Sequence, residues 1–171
     1  PLPDIPKIDL PQAPEGTDFK AAERRGRTRF WAGEQRRTGV QGRPGEQAHH
    51  FLKWRIGAAL NLDPDITNDP RYMGVLQSRR AHSAGRMSLG GRSASTPHRY
   101  ADRVAYPHYE ERLGPRTRAW GTERVVHVRV GRKVMGEMTG NSGPRPPYIV
   151  APTVKGAMGH FLYGGTSTFV P

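Results

Sequence analysis

The sequence predicts an irregular α+β fold with low regular secondary structure, a small ordered centre, and long extended N- and C-terminal segments. Three observations indicate this. Glycine and proline account for 21 and 16 of the 171 residues, and both interrupt helices and strands. Leu, Ile, Val and Phe together account for only 30 residues, which is little material for a large core. Only short stretches show a helical or an alternating apolar pattern.

Residues 1–18 are rich in proline, and proline restricts the backbone to extended conformations. The segment is therefore predicted to form an extended arm or, alternatively, a floppy tail. Three aliphatic side chains lie between its prolines and are candidate anchors in pockets of a partner: Ile5, Ile8 and Leu10.

Residues 19–45 are predicted to be a basic loop, which a short helix over 18–25 opens and glycines then interrupt. Phe30 and Trp31 lie inside this arginine-rich stretch. Basic residues interleaved with aromatic ones are typical of nucleic-acid contacts, but the two rings could equally anchor the loop on a small core or a partner.

Residues 46–82 are predicted to form a helical hairpin, the only self-contained core that the sequence suggests. Apolar residues recur at three- and four-residue spacing from Ala48 to Leu60. Asp63–Pro64 ends this helix, and Asp69–Pro70 is typical of a helix cap followed by proline at the first helical position. The second helix would cover 70–82.

Residues 83–123 are predicted to be a flexible basic and aromatic linker, rich in Ser, Gly and Arg at its start. Alternating valines then predict a short β-hairpin over about 124–138. The remainder, to residue 171, is predicted to be an extended tail in which Tyr148 and Phe169 are further anchor candidates.

Charge is the strongest functional signal. The formal net charge is +12, and 22 of the 27 basic residues are arginine. The positive charge is concentrated in three segments, 19–45 with +6, 78–99 with +5 and 124–145 with +4, and the rest of the chain carries −3. This predicts separate contacts with an anionic partner: nucleic acid, an anionic membrane or an acidic protein. The candidate contact residues are Arg24, Arg25, Arg27, Arg29, Arg36, Arg37, Arg79, Arg80, Arg86, Arg92, Arg99, Arg129, Arg132 and Lys133.

Motifs for catalysis are not evident. There is no cysteine, no H-x-x-x-H or H-E-x-x-H pattern, and no phosphate-binding glycine loop. His49 and His50 are adjacent, so on the predicted helix they diverge and cannot bind one ion together. Asp63, Asp65 and Asp69 are accounted for by turns and caps. The sequence thus predicts no enzyme activity, metal, cofactor or small-molecule substrate, and no window is apolar enough to span a membrane.

In composition the chain resembles the extended accessory proteins of very large assemblies, such as those of mitochondrial ribosomes. The basic segments and extended termini favour a non-catalytic structural subunit of an organellar ribosome, in mitochondria, with rRNA and several protein subunits as partners. The alternative is an accessory subunit of a protein-only assembly: a respiratory complex, a microtubule inner protein in the cytoplasm or axoneme, or a shell protein of a virion.

Overall fold

The computed structural model describes residues 6–40, 42–79, 87–151 and 166–167. The fold mixes helices with small sheets, which agrees with the predicted α+β class. The helices are α1 (Phe19–Thr38), α2 (Trp54–Ala59), α3 (Pro64–Thr67), α4 (Pro97–Tyr100), α5 (Tyr106–Arg118) and α6 (Glu123–Thr139). The strands are β1 (Ile8–Asp9), β2 (Glu46–His50), β3 (Met73–Gln77), β4 (Met87–Leu89), β5 (Arg92–Ala94), β6 (Tyr148–Val150) and β7 (Thr166–Ser167).

All strand pairs within the described ranges are antiparallel. β2 pairs with β3, and β6 lies between β1 and β7. β4 and β5 form a hairpin whose turn is Gly90–Gly91. Both turn glycines have positive φ, 60° and 79°, the backbone that tight hairpin turns require.

The predicted basic loop is instead a 20-residue helix, α1. Its start agrees with the sequence, because the Asp18 side chain accepts a hydrogen bond from the Ala21 amide at 2.9 Å. The helix continues through Gly26 and Gly33 to a left-handed cap at Gly39, φ 75°. An interior glycine costs only about 1 kcal/mol, and burial of Phe30 against Ala48 and Met73 offsets that cost.

The predicted helical hairpin over 46–82 is wrong. Glu46–His50 and Met73–Gln77 are paired strands, and only Trp54–Ala59 of the first predicted helix is helical. The apolar residues that recur at three- and four-residue spacing belong to two elements, a strand and a helix, and both contribute residues to the apolar clusters. The capping roles of Asp63 and Asp69 are confirmed: they accept hydrogen bonds from the amides of Asp65 and Arg71 and begin α3 and a 3-10 turn, Pro70–Tyr72.

The predicted linker over 83–123 is also ordered where it is described. The β4–β5 hairpin is followed by an unbroken helical run from Pro97 to Arg118, in which Ala101–Ala105 form a π turn. In that turn the Tyr106 amide donates a hydrogen bond to the Ala101 carbonyl, five residues earlier. Pro107 cannot donate to the carbonyl four residues earlier, so the wider turn next to it relieves a clash.

The predicted β-hairpin over 124–138 is a 17-residue helix, α6, with Gly140 as its left-handed cap. Its valines are buried on several sides, so the alternation that indicated a strand reflects a helix surrounded by core. Gly131 lies against the backbone of Phe51, which lets α6 approach this segment closely.

One main core joins these elements. It takes residues from the N-terminal arm, the 51–76 region, the π turn, α6 and β6, so the region 46–82 is not a core by itself. Its buried members are Leu10, Phe51, Leu52, Leu62, Ile66, Tyr72, Leu76, Ala101, Ala105, Val125, Val126, Val128, Val130, Val134, Met135 and Tyr148.

In its described part, from residue 6, the N-terminal arm is extended as predicted, but it is bound within the fold. Ile8 pairs with Val150 of β6, and its amide donates to the carbonyl of Trp120 at 2.8 Å. Next to it, the buried Asp9 carboxylate accepts two hydrogen bonds from Arg124 of α6, at 3.0 and 2.8 Å. Arg124 also donates to the Leu60 carbonyl at 2.6 Å.

Replacement of Gly131 by alanine is expected to lower the free energy of unfolding by about 3 kcal/mol. The added Cβ would lie 2.0 Å from the carbonyl oxygen of Phe51, so the backbone must move. Urea unfolding measures this. The control is Gly33→Ala on α1, where nothing lies within 4 Å and alanine should add about 0.5–1 kcal/mol. A change in the free energy of unfolding in the same direction for both variants would contradict the close packing of α6 against Phe51.

Replacement of Arg124 by methionine is expected to cost about 3–5 kcal/mol, because it leaves Asp9 buried without its counter-ion. The control, Arg118→Met, breaks the exposed pair with Glu123 and should cost about 0–1 kcal/mol. Both are read from urea unfolding midpoints. Equal losses of stability in the two variants would show that the Asp9–Arg124 pair stabilises the fold no more than an exposed pair does.

Candidate metal centre

A cavity of about 330 Å³ opens where β2, the start of α2 and the 97–105 helical run meet, with one side chain added by α1. Most of its lining side chains are polar or charged. The lining residues are Arg27, Gln47, Ala48, His49, His50, Lys53, Trp54, Arg55, His98 and Asp102.

His49 and His50 lie at the end of β2, opposite Gly74 and Met73 of β3. Successive side chains of a strand alternate in direction, so the two imidazoles have different partners. His49 contacts His98 and Asp102, whereas His50 contacts Asn68.

His98 and Asp102 come from the helical run that begins after Thr96. The Thr96 hydroxyl accepts a hydrogen bond from the Arg99 amide at 3.2 Å, and Pro97 occupies the first helical position. These are strong helix-start signals. Because His98 and Asp102 are four residues apart, they lie on the same side of the helix, the side that faces His49.

The three side chains form a tight cluster. The Nδ1 atoms of His49 and His98 are 3.1 Å apart, and the Asp102 carboxylate lies 3.6 Å from the Nε2 atom of each ring. One ligand atom from each of the three residues can be chosen so that all lie within 4.8 Å of one another. Lys53 also reaches Asp102, with its Nζ atom 3.4 Å from Oδ2.

These residues fit a divalent ion. Donors held 2.0–2.2 Å from one tetrahedral ion stand about 3.3–3.6 Å apart, so donor atoms that lie within 4.8 Å of one another need only a small inward shift to hold one ion. Two imidazoles and a carboxylate suit Zn²⁺, Mn²⁺, Fe²⁺ or Ni²⁺ better than Ca²⁺ or Mg²⁺, which take oxygen ligands. Three protein ligands also leave coordination positions open, as catalytic sites do.

Burial governs the charge of the histidines. It lowers the pKa of His49 to about 4, although the nearby Asp102 carboxylate acts in the opposite direction. Burial also lowers the pKa of His50, against the effect of its hydrogen bond to Asn68. His49 is therefore neutral at pH 7, which is the form of imidazole that binds a metal ion.

A second set of contacts holds this part of the fold in position. The buried His50 donates from Nε2 to the Asn68 Oδ1 atom at 2.9 Å. Asn68 packs in turn against Gly26 of α1, where an added Cβ would lie 2.6 Å from the Asn68 Cβ. The position of α1 is thus tied to the strand end that carries His49.

Four of the predicted contact arginines form an open surface on α1. Arg24, Arg25, Arg29 and Arg36 are exposed and make no ion pair with any residue that the structure describes. Arg27 and Arg37 are paired with Glu23 and Glu34, at 2.6 and 2.8 Å.

The second predicted set is only partly described. Arg79, Arg92 and Arg99 are exposed, and Arg92 lies 3.9 Å from Glu111. Arg80 and Arg86 are outside the described residues.

The third set, on α6, has contacts within the fold, and its binding to an anionic partner stays a prediction. Arg129 is half-buried, donates to the Thr117 hydroxyl at 2.8 Å and lies over the Trp120 ring. Arg132 donates to the Ser142 carbonyl at 3.1 Å. Lys133 is exposed but lies 3.6 Å from Glu137.

The predicted partner anchors are mostly part of the fold itself. Leu10, Phe30 and Tyr148 are buried, while Ile8 and Trp31 are half-buried against the same apolar clusters. The arm and β6 pair with each other, and Leu10, Phe30 and Tyr148 fill pockets of the chain's own apolar clusters. Ile5 and Phe169 are outside the described residues.

The sequence did not reveal His98 and Asp102 as partners of His49. Their i,i+4 spacing after the Thr96–Pro97 helix start was an available signal, but the segment was predicted to be flexible. The sequence predicts a helix at His49, on which only the adjacent His50 lies near it, whereas in the structure His49 ends strand β2 and meets His98.

Comparison with models of known protein families, with curated proteins and with solved structures gives no match to this chain. In the described ranges no helix combines the length and the apolar composition needed to cross a bilayer. The functional assignment therefore rests on the residues of the cavity and on the charge of the chain.

Replacement of Asn68 by alanine is expected to cost about 1–3 kcal/mol in the free energy of unfolding, because the buried Nε2–H group of His50 loses its acceptor. Thermal unfolding monitored by circular dichroism measures this. Gln35→Ala, at an exposed position of α1, is the control and should change stability by less than about 0.5 kcal/mol. An unchanged melting temperature for Asn68→Ala would contradict the bond to His50.

Proposed function

We propose that the chain is a metal-dependent phosphodiesterase that acts on nucleic acid. The observation that carries the proposal is the cluster of His49, His98 and Asp102 in a cavity whose other charged side chains are all cationic. These cations are Arg27, Lys53 and Arg55.

The ligand set supports hydrolysis. A divalent ion held by three protein ligands lowers the pKa of its bound water to about 7 and polarises a phosphoryl oxygen. The same donors hold iron in oxygen-dependent enzymes, but the cationic lining and the net charge of +12 favour an anionic substrate.

The side chains around the cluster suit a nucleotide. Lys53 is half exposed beside Asp102, where its ammonium group can neutralise a phosphate oxygen of the substrate. Trp54 lines the same cavity, and the Arg55 guanidinium lies 5.5 Å from its ring centroid. An aromatic ring next to cations can stack on a base while the cations bind phosphate.

The test uses the full chain, stripped with a chelator and resupplied with Zn²⁺, Mn²⁺ or Mg²⁺. Cleavage of supercoiled plasmid DNA and of labelled RNA is measured, together with bound metal. His98→Ala and Asp102→Ala are expected to lose more than about 100-fold in cleavage rate and to bind metal more weakly. His108→Ala replaces a half-buried histidine outside the cavity and should behave like the unmodified protein.

Cleavage that survives chelation, or that survives loss of His98, would overturn the proposal. The same would follow if His108→Ala lost as much activity as His98→Ala, because the loss would then not be specific to the cluster.

A second proposal, a non-catalytic structural subunit bound to RNA in an organellar ribosome, is supported by the unpaired arginines of α1. Its test is to purify the native assembly through a tag on this chain. Co-purified rRNA with no metal-dependent cleavage would support it over the phosphodiesterase, and protein partners without RNA would support a protein-only assembly.

A further inference from the structure

The solvent face of α1 is the most strongly charged surface of a single element in the described ranges. The helix carries seven basic and two acidic residues. Both acids are largely shielded, with side-chain exposures of 10% for Glu23 and 20% for Glu34, and each is paired with an arginine of the same helix. Of the remaining cations, Arg29 acts on the Asp69 carboxylate and helps to lower its pKa. The others make no ion pair with an acid among the described residues: Lys20, Arg24, Arg25 and Arg36.

Two of these cations, Lys20 and Arg24, lie in line with Arg27, which is itself paired with Glu23 at 2.6 Å. Lys20, Arg24 and Arg27 are spaced i, i+4 and i+7, so they form a single stripe along the helix. Arg27 lines the cavity, and at about 1.5 Å per residue Lys20 lies about 10 Å further along the helix axis. A nucleic-acid strand carries one phosphate per about 3.4 Å of helix axis, so the stripe is long enough to follow several phosphates.

The stripe is also held rigidly relative to the cluster. Gly26, next to Arg27, packs on Asn68, and Asn68 accepts the hydrogen bond of His50. Phe30, one turn further along the same face of the helix as Gly26, packs on Ala48 of β2. Cations that are already in position lose little freedom when a ligand binds.

We infer that the Lys20–Arg24–Arg27 stripe binds the phosphodiester backbone of the substrate on one side of the bond that is cleaved. The inference rests on the proposed function, since it takes nucleic acid as the substrate. Nucleic acid is favoured over an acidic protein because the cations form one line that continues into a cavity suited to a phosphate.

The test compares two double variants of the full chain. Lys20→Gln/Arg24→Gln removes two cations of the stripe, and Arg112→Gln/Arg116→Gln removes two exposed cations with the same i,i+4 spacing on α5. Chelator-treated protein is titrated into labelled 20-nucleotide DNA, single-stranded and duplex, from 50 to 300 mM NaCl. The metal-loaded proteins are assayed separately with bis(p-nitrophenyl) phosphate, a diester too small to reach the stripe.

The stripe variant is expected to bind DNA about 10-fold more weakly at 100 mM NaCl. Its slope of log affinity against log salt should fall by about 1.4 for single strands and about 1.8 for duplex, at about 0.7 or 0.9 per lost phosphate contact. Hydrolysis of the small diester should be unchanged, and the α5 variant should bind like the unmodified protein.

Unchanged DNA binding by the stripe variant, or an equal loss in the α5 variant, would overturn the inference. So would displacement of DNA by poly-L-glutamate as effective as that by unlabelled DNA of equal charge, which would indicate an acidic protein partner. Failure of the unmodified protein to hydrolyse the small diester would count against the proposed function, whereas the DNA titration would still decide the role of the stripe.

Discussion

The N-terminal arm carries a buried carboxylate, Asp9, which is held by the half-buried guanidinium of Arg124, and three parts of the fold meet at this ion pair. Asp9 also accepts hydrogen bonds from the Leu10 amide and the Thr122 hydroxyl. A buried carboxylate is stable only when it is paired and hydrogen-bonded, so the arm, the start of α6 and the end of α2 must come together in one arrangement. That arrangement places Leu10 in the core and β1 against β6.

The candidate metal centre depends on a similar long-range arrangement. His49 is at the end of a strand, and His98 and Asp102 are on a helix that starts 48 residues later in the chain. Pairing of β2 with β3 and packing of α1 on Asn68 hold the strand end, while the helix cap at Thr96 sets the rotation of the other two ligands. The cavity is therefore a product of the packed fold and is not formed by any one segment.

Predictions from local chemistry were correct where one or two residues decide the structure. Asp18, Asp63 and Asp69 begin helical turns because their carboxylates accept backbone amides nearby. Predictions from apolar periodicity were wrong where one apolar pattern continues across two different elements, or where an element is buried on more than one side. The 46–82 region combines strands and helices that share a core, and α6 is buried on several sides, so its valines mimic the alternation of a strand.

The sequence alone determined the helical turns that begin at Asp18, Asp63 and Asp69, the extended character of the arm and the excess of positive charge, because each depends on the residues themselves and their immediate neighbours. Tertiary structure decided which charges remain exposed and which histidines meet. The sequence does not distinguish one group of arginines from the other. Arg124 and Arg129 form hydrogen bonds within the fold, whereas Arg24 and Arg25 are exposed on α1. Burial and long-range pairing make that distinction, since both depend on residues far apart in the chain.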